Sequence, residues 1–454
     1  MIDFLFNIAG FLVAIAILVS IHEYGHFWVA RTLGVKVLRF SVGFGKPLWR
    51  KVSEKDGVEY TISAIPLGGY VKMLDENEGE VDPADLPRAF NRQALWKRSL
   101  IVLAGPAANF ILAICLFAIL HMWGTPGLTP EVGQLEASSL ASQAGVLQGD
   151  RLVSVDGKEY DFWGQHDLYL YNQVIKGQDA NLLVQGIDGR RRDVILPLST
   201  IPVSEVGPSL VPGTLGLTRW RPQFLAILGH VVEGSPADRG GLEVSDRVIA
   251  IDGQITDQWE HLVSAVVDRP GEELRVLVER DGAELELRVV PEAVTEGGRT
   301  FGRIGVAPQA GEIPENKRVL ARYGPLQAVL KGVDETWLMS VLTLRMLGKM
   351  LTLEVSPKNI SGPITIAQYA GQTAQIGLQP FISFLAIISI SLGVLNLLPI
   401  PMLDGGHLLF YFGEVITRRP TSERVMAMGQ QLGLGLLLGL MCLAFYNDIF
   451  RLIG

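Results

Sequence analysis

Apolar residues run almost unbroken through four stretches of the chain, and polar residues fill the intervals between them. Residues 5–21 carry no charged side chain, and the run predicts a membrane helix over about 4–28. The stretches 99–123, 381–399 and 429–446 predict three more spans. Between the first two lies a polar segment, 31–98. Its parts 37–49 and 59–73 carry Gly and β-branched residues in the manner of strands and hairpins. Within it, Gly43-Phe44-Gly45 and Leu67-Gly68-Gly69-Tyr70 predict turns or points of close approach. Residues 323–353 mix apolar positions with Lys331, Arg345 and Lys349, the pattern of a helix lying on a membrane surface. A soluble helix packed on the preceding domain is the other reading of that pattern. Asn359-Ile-Ser-Gly-Pro363 breaks the chain after it.

The interval 127–310 repeats itself. Gly149-Asp150-Arg151-Leu152-Val153, followed by Val155-Asp156-Gly157, returns as Ser245-Asp246-Arg247-Val248-Ile249, followed by Ile251-Asp252-Gly253. Leu215-Gly216-Leu217 returns as Ile304-Gly305-Val306, and each is expected to close its copy as a strand. Two tandem domains follow, 127–220 and 221–310, each of about ninety residues, a common domain size. The pattern resembles PDZ domains of the bacterial, permuted kind. PDZ domains bind an extended peptide end by strand addition. The resemblance implies peptide binding at Leu215, Gly216 and Leu217 and at Ile304, Gly305 and Val306. A spacer without a ligand stays open for either copy.

Charge then orients the spans. Arg31, Lys36, Arg39, Lys46, Arg50 and Lys51 open a basic loop between the first two helices, which places that loop in the cytoplasm and the N-terminus outside. The repeated domains fall outside as well. Arg418, Arg419 and Arg424 bring the chain back to the cytoplasm before the last helix returns the C-terminus outward. His26 and Asp404 therefore lie at similar depth, near the inner ends of the first and third helices. Residues 1–7 contain no basic side chain, so the first helix reads as an uncleaved span rather than a signal peptide. The chain has 454 residues, 48% hydrophobic and 19% charged. Its mean hydropathy of +0.29 suits a mixture of membrane helices and soluble domains. A net charge of -8 gives no reason to expect nucleic-acid binding. Cys115 and Cys442 fall in apolar runs without a Cys-x-x-Cys partner, so neither a disulfide framework nor a thiolate metal site is expected.

The chemistry gathers at His22-Glu23-Tyr24-Gly25-His26. On a helix, His22 and His26 share one face, one turn apart, and Glu23 lies beside them. This is the H-E-x-x-H pattern of two metal ligands and a general base. A polar face of a soluble helix would be the ordinary explanation. The apolar residues before it argue otherwise, because ionisable groups inside a membrane helix are costly and mark function. Gly105-Pro106-Ala107-Ala108-Asn109 lies inside the second span and reads as a helix-packing face, with Asn109 bonding a neighbour. His407 could support a ligand from the second rank, while His121, His166, His230 and His261 read as bystanders.

His22-Glu23-Tyr24-Gly25-His26 in a first helix, Asn396-Leu-Leu-Pro399-Ile-Pro401-Met-Leu-Asp404-Gly-Gly in a late one, and PDZ-like repeats between them resemble the site-2 protease family of intramembrane zinc metalloproteases, in its bacterial tandem-PDZ form. The likeness covers essentially the whole chain, and both motifs, H-E-x-x-H and N-x-x-P-x-P-x-x-D-G, are met without departure. It implies Zn2+ on His22, His26 and Asp404, with Glu23 catalytic. It implies that Asn396, Pro399 and Pro401 contact an unwound substrate. More weakly, it matches Gly43, Phe44 and Gly45 to a membrane-associated β-hairpin that offers an edge strand. The implied fold is a mixed membrane protein. Residues 1–126 supply two transmembrane helices and a cytoplasmic β-rich loop. PDZ domains occupy 127–220 and 221–310 outside the cytoplasm, 311–375 form an amphipathic juxtamembrane region, and 376–454 supply the last two transmembrane helices. The implied function is regulated intramembrane proteolysis in an envelope stress response, in the bacterial inner membrane. The implied substrates are single-span membrane proteins, namely an anti-sigma factor after a first cleavage and signal-peptide remnants. The partners are then those substrates and the lipid bilayer, with no nucleic acid and no small-molecule cofactor beyond zinc. A catalytically inactive, membrane-anchored PDZ scaffold is the alternative, and the complete motif set with Glu23 present speaks against it.

Overall fold

A backbone in lipid finds no water to bond, so it closes its hydrogen bonds within a helix. The first apolar run does this as α1 (Ile2–Thr32). The computed structural model describes residues 2–453 except 78, 160, 208, 221–224, 297–298, 310–313, 353, 357–360 and 420. After α1 the chain folds into two long strands, β1 (Val37–Val52) and β2 (Glu59–Met73). Residues 39–42 register with 69–72 and also with 59–62, while 47–52 register with 59–63. Two strands thus make a sheet four segments wide. The chain reverses direction between 42 and 47 and again between 63 and 69, so Gly43-Phe44-Gly45 and Leu67-Gly68-Gly69-Tyr70 lie where turns or close approaches were expected, though both fall inside the continuous strands. Gly43 has φ +91°, and a Cβ there would stand 2.8 Å from the Ile65 carbonyl oxygen. Only glycine takes both that backbone and that approach without strain. Phe27 and Val35 carry the sheet on the end of α1 through Phe40, Tyr60 and Val71.

α2 (Leu95–Trp123) crosses α1 where side chains are smallest. A Cβ on Gly25 would lie 2.3 Å from the Ala104 carbonyl oxygen. From α2 the chain leaves as β3 (Thr125–Leu128) and returns much later as β16 (Arg318–Ala321), its antiparallel partner. Everything between is an insertion whose ends are neighbours.

The insertion holds two units of matching order. In the first, α3 (Leu140–Gln143), β4 (Arg151–Val155), β5 (Lys158–Glu159), α4 (Gln165–Lys176), β6 (Ala180–Gln185) and β7 (Arg191–Leu196) form a sheet in the order β5-β4-β6-β7. In the second, β8 (Leu228–Val231) precedes α5 (Pro236–Arg239), β9 (Arg247–Ile251), β10 (Gln254–Ile255), α6 (Trp259–Val267), β11 (Leu274–Arg280) and β12 (Ala283–Val289). Its sheet runs β10-β9-β11-β12. Each unit has its own apolar core. The likeness reaches single atoms. Asp150 accepts from the Leu147 N–H and pairs with Arg192 at 2.6 Å, and Asp246 accepts from the Glu243 N–H and pairs with Arg280 at 2.7 Å. A hairpin, β13 (Glu292–Glu296) with β14 (Arg299–Arg303), and β15 (Val306–Pro308) on β8 complete the second unit. The boundaries drawn at 220/221 and 310/311 fall on 221–224 and 310–313, outside the described residues.

One expected strand is absent. Leu215-Gly216-Leu217 follows a π-helical turn, Leu210–Thr214, instead of joining a sheet. Leu215 and Leu217 are fully buried in the first core, and the Leu215 carbonyl accepts from the Ala141 N–H. Burial of two leucines and that bond hold the segment without a ladder. In the other copy the strand begins only at Val306, and the Ile304 carbonyl accepts from the Ala237 N–H in the same way.

α7 (Pro325–Leu351) is amphipathic. It packs on α2, where a Cβ on Gly332 would lie 2.9 Å from the Ile114 carbonyl oxygen, and it reaches the first unit through Arg345 and Asn172. Its packing partners are α2, α4 and α9 (Leu378–Asn396), so the reading of a helix packed on the second repeat does not hold. The region 311–375 also contains a separate helix, α8 (Pro363–Ile376), laid along α1 with Gly371 over Asn7. Its first turn is capped by Asp448, which accepts from the Gly362, Ile364 and Thr365 N–H groups. That carboxylate belongs to α11 (Glu423–Ile453), which follows α10 (Asp404–Thr417). α1, α2, α9 and α11 are each long and apolar enough to cross a membrane.

Candidate metal centre

α1 delivers His22 and His26 on one face, as the four-residue spacing requires. Asp404 arrives on α10, nearly 400 residues along. Three features place it. α9 ends at Asn396, and the chain then turns through 397–403, with Met402 at φ +105°. Gly405 and Gly406 let the start of α10 press on that turn, since Cβ atoms there would lie 2.2 Å from the Leu398 and 2.4 Å from the Ile400 carbonyl oxygens. Farther along α10, Glu414 pairs with Arg98 of α2 at 2.9 Å.

The result is a tight cluster. His22 Nε2 lies 3.3 Å from His26 Nε2 and 3.3 Å from Asp404 Oδ2, and His26 Nε2 lies 3.5 Å from Asp404 Oδ1. Asp404 Oδ2 is buried and without a hydrogen-bond partner among the described residues. A tetrahedral zinc with bonds of about 2.0–2.1 Å sets its ligand atoms roughly 3.3 Å apart. Two imidazoles and a carboxylate at that spacing fit such an ion. Among the described residues this is the one His/Cys/Asp/Glu group that could hold a metal. Three protein donors leave a fourth position, as catalytic zinc sites do.

Glu23 sits beside the cluster under β2. A Cβ on Gly69 would lie 3.2 Å from Glu23 Cγ and 2.7 Å from the Ser41 carbonyl oxygen, so glycine lets the sheet close over the carboxylate. Val42, next to Gly43, Phe44 and Gly45 on β1, is the ladder partner of Gly69. Phe44 is half exposed and stacks on Tyr70 at 6.2 Å. Asn396 is half buried at the end of α9, Pro399 is exposed in the turn, and Pro401 is half buried. Gly433 of α11 meets Pro401 so closely that a Cβ would lie 1.7 Å from its carbonyl oxygen. Leu215, Gly216, Leu217, Ile304, Gly305 and Val306 belong to the two inserted units and not to this cluster.

Sequence reasoning missed how much α2 contributes. The Asn109 amide lies 3.2 Å from His22 Nδ1, and His26 Nδ1 donates to the Ile101 carbonyl at 2.8 Å. A Cβ on Gly105 would lie 2.3 Å from His26 Nε2 and 2.8 Å from His22 Cε1. The Gly105-to-Asn109 segment is therefore the wall of the site as well as a packing face. The available signal was an Asn one turn after a Gly inside a membrane span. His121, read as a bystander, is buried and meets Glu335 of α7 at 3.1 Å.

Residues 10–440 match the model of peptidase family M50. The chain is 42% identical over 454 residues to the regulator of sigma-E protease RseP of Escherichia coli, with both chains covered in full. It is 40% identical over 455 residues to a putative zinc metalloprotease of Vibrio cholerae, again with full coverage of both. To the regulator of sigma E protease of Haemophilus influenzae it is 38% identical over 451 residues, covering 99% of this chain and 100% of the relative.

Proposed function

This chain belongs to peptidase family M50, the site-2 proteases, and is a metalloprotease; on that premise we propose that it is an intramembrane zinc endopeptidase. Its substrates are single-span membrane proteins, cut within or near the membrane-spanning segment. The observation that carries the reading is the convergence of His22, His26 and Asp404 beside Glu23, from helices remote in sequence.

His22, His26 and Asp404 hold the metal in this reading. Zinc, when bound there, supplies a Lewis acid that makes a water acidic near neutral pH and polarises the scissile carbonyl. Glu23 accepts the proton of the attacking water and hands it to the leaving amine. A helical substrate hides its peptide bonds, so it must unwind first. Unwound backbone at membrane depth needs new partners. Residues 43–45 of β1 would supply them by strand addition, and Asn396, Pro399 and Pro401 would line the unwound segment. The inserted units are two PDZ domains on the outer side, screening substrates through 215–217 and 304–306. The protein sits in the inner membrane with both termini outside, and the zinc site lies toward the cytoplasm. Two relatives are named for sigma-E regulation, which supports an anti-sigma factor, shortened by a first cleavage, as one substrate class. Signal-peptide remnants are a second.

Purified wild type and Glu23→Gln separate this reading from an inert scaffold. Both should contain about one zinc per chain by elemental analysis, because Glu23 is no ligand. Glu23→Gln should cut a single-span reporter at least 100-fold more slowly, roughly the scale of lost general-base catalysis. Near-normal cleavage by Glu23→Gln would remove Glu23 from the mechanism.

A further inference from the structure

Both histidines turn their second nitrogen toward α2. His26 Nδ1 donates to the Ile101 carbonyl at 2.8 Å, which leaves its Nε2 lone pair facing the cluster. Among the described residues, His22 has no carbonyl in that place. It has the Asn109 amide, 3.2 Å from Nδ1. Asn109 is fully buried, and its backbone carbonyl accepts from Ser389 Oγ of α9 at 2.8 Å, so its position is set from two sides. Its Oδ1 has no partner among the described residues, while Nδ2 is the end nearest the ring.

An amide exchanges its two ends by half a turn about Cβ–Cγ, and its partners decide which end faces which. With the Nε2 lone pair of His22 given to a cation, Nδ1 carries the proton and needs an acceptor. Only the oxygen end of Asn109 can accept it. Metal-bound histidines regularly hold their other N–H in this way.

We propose that Asn109 is a positioning residue for the metal. Its amide oxygen takes the Nδ1–H of His22 and fixes the ring in the tautomer whose Nε2 faces His26 and Asp404. The inference rests on the zinc reading above and goes beyond it by assigning the support of one ligand to α2. Gly105 belongs to the same device, since its missing Cβ leaves room for both rings.

The test uses the full chain in detergent: wild type, Asn109→Leu and Asn109→Asp. Bound zinc is measured by elemental analysis against rising chelator, and Co2+-loaded protein is followed by its visible ligand-field bands. Asn109→Leu keeps the branched shape in a somewhat larger side chain and removes the acceptor. It should lose zinc at roughly 10- to 100-fold lower chelator activity, with altered Co2+ bands. Asn109→Asp keeps an acceptor where the proton lies, so it should retain zinc and wild-type-like bands. If Asn109→Leu fails to yield monodisperse protein, Asn109→Asp alone decides. Zinc retention by Asn109→Asp supports the oxygen as the working end, and zinc loss overturns it. Wild-type zinc affinity in Asn109→Leu also overturns it, while leaving the metal site standing. Wild type that binds no zinc would overturn the metal site and this inference together.

Discussion

Asp404 occupies a position where a helix cap and a metal ligand would look alike in sequence. It opens α10 just before two glycines, and Asp-Gly is an ordinary turn dipeptide. In the structure its carboxylate faces two imidazoles at 3.3 and 3.5 Å, and the N-cap position of α10 is Leu403, one residue before it. Asn would replace a cap with little loss. As a ligand Asn is poor, since it is neutral and cannot balance the cation's charge. Asp404→Asn should therefore insert and fold but hold little zinc and show no turnover above background. Elemental analysis and reporter cleavage on the same preparation check it, and full zinc with normal turnover would exclude the ligand role. His22, Glu23 and His26 were legible because one helix turn brings them together. Asp404 was legible only through its motif, and Asn109 only as a packing residue, because no local pattern says which helix a membrane Asn will face.

At the scale of elements, the site is built where helices come closest. Gly25 lies on the Ala104 carbonyl, Gly105 under the two histidines, and Gly433 on the Pro401 carbonyl. Adding a methyl at Gly25 or Gly433 demands a backbone shift, and at Gly105 it demands that the imidazoles move. Overpacking of this kind costs about 1–3 kcal/mol. The three should differ in what they damage. Gly105→Ala pushes on His26 Nε2 and His22 directly, so it should lose zinc at a temperature where the protein stays folded. Gly25→Ala separates α1 from α2 and should lower Tm. Gly433→Ala should mainly move the 397–403 turn and slow cleavage while zinc remains bound. Zinc content, detergent Tm and reporter rate measured on all three give the pattern. Equal zinc loss in all three would refute the division. α7 shows the limit of helical patterning. Leu326, Leu330, Val333 and Trp337 form an exposed apolar face, as an interfacial helix needs. The partners of its opposite face, α2, α4 and α9, could not be read from periodicity.

On the scale of the whole molecule, the two inserted units hang from a narrow neck. Leu128 and Arg318 are direct partners in the β3–β16 ladder. Excising 129–317 and joining the ends by a tight turn should leave the metal cluster assembled, because none of its residues lies in the insertion. Such a variant should keep zinc and lose discrimination, cutting substrates whose outer domains are intact. If intact substrates remain uncut by the zinc-loaded variant, the screening role is wrong. The first unit also touches α7 through Asp161 with Lys331 at 3.6 Å, and through Asn172 with Arg345. Lys331→Ala and Arg345→Ala in the full chain should relax selection partly in the same direction, measured by the ratio of intact to shortened substrate cleaved.

Four apolar runs and the His-Glu pair were determined by the sequence alone, since membrane helices are local structures that satisfy their own backbone. The repeat was legible for the same reason, as matching patterns of Asp and Gly at turns make matching folds. The folding of β1 and β2 into four segments, the meeting of α10 with α1, and the role of α2 behind both histidines were decided only by tertiary structure. Each depends on a contact between residues far apart in the chain, through glycines whose value lies in what they let approach. A sequence records the missing side chain but not the neighbour that fills its place.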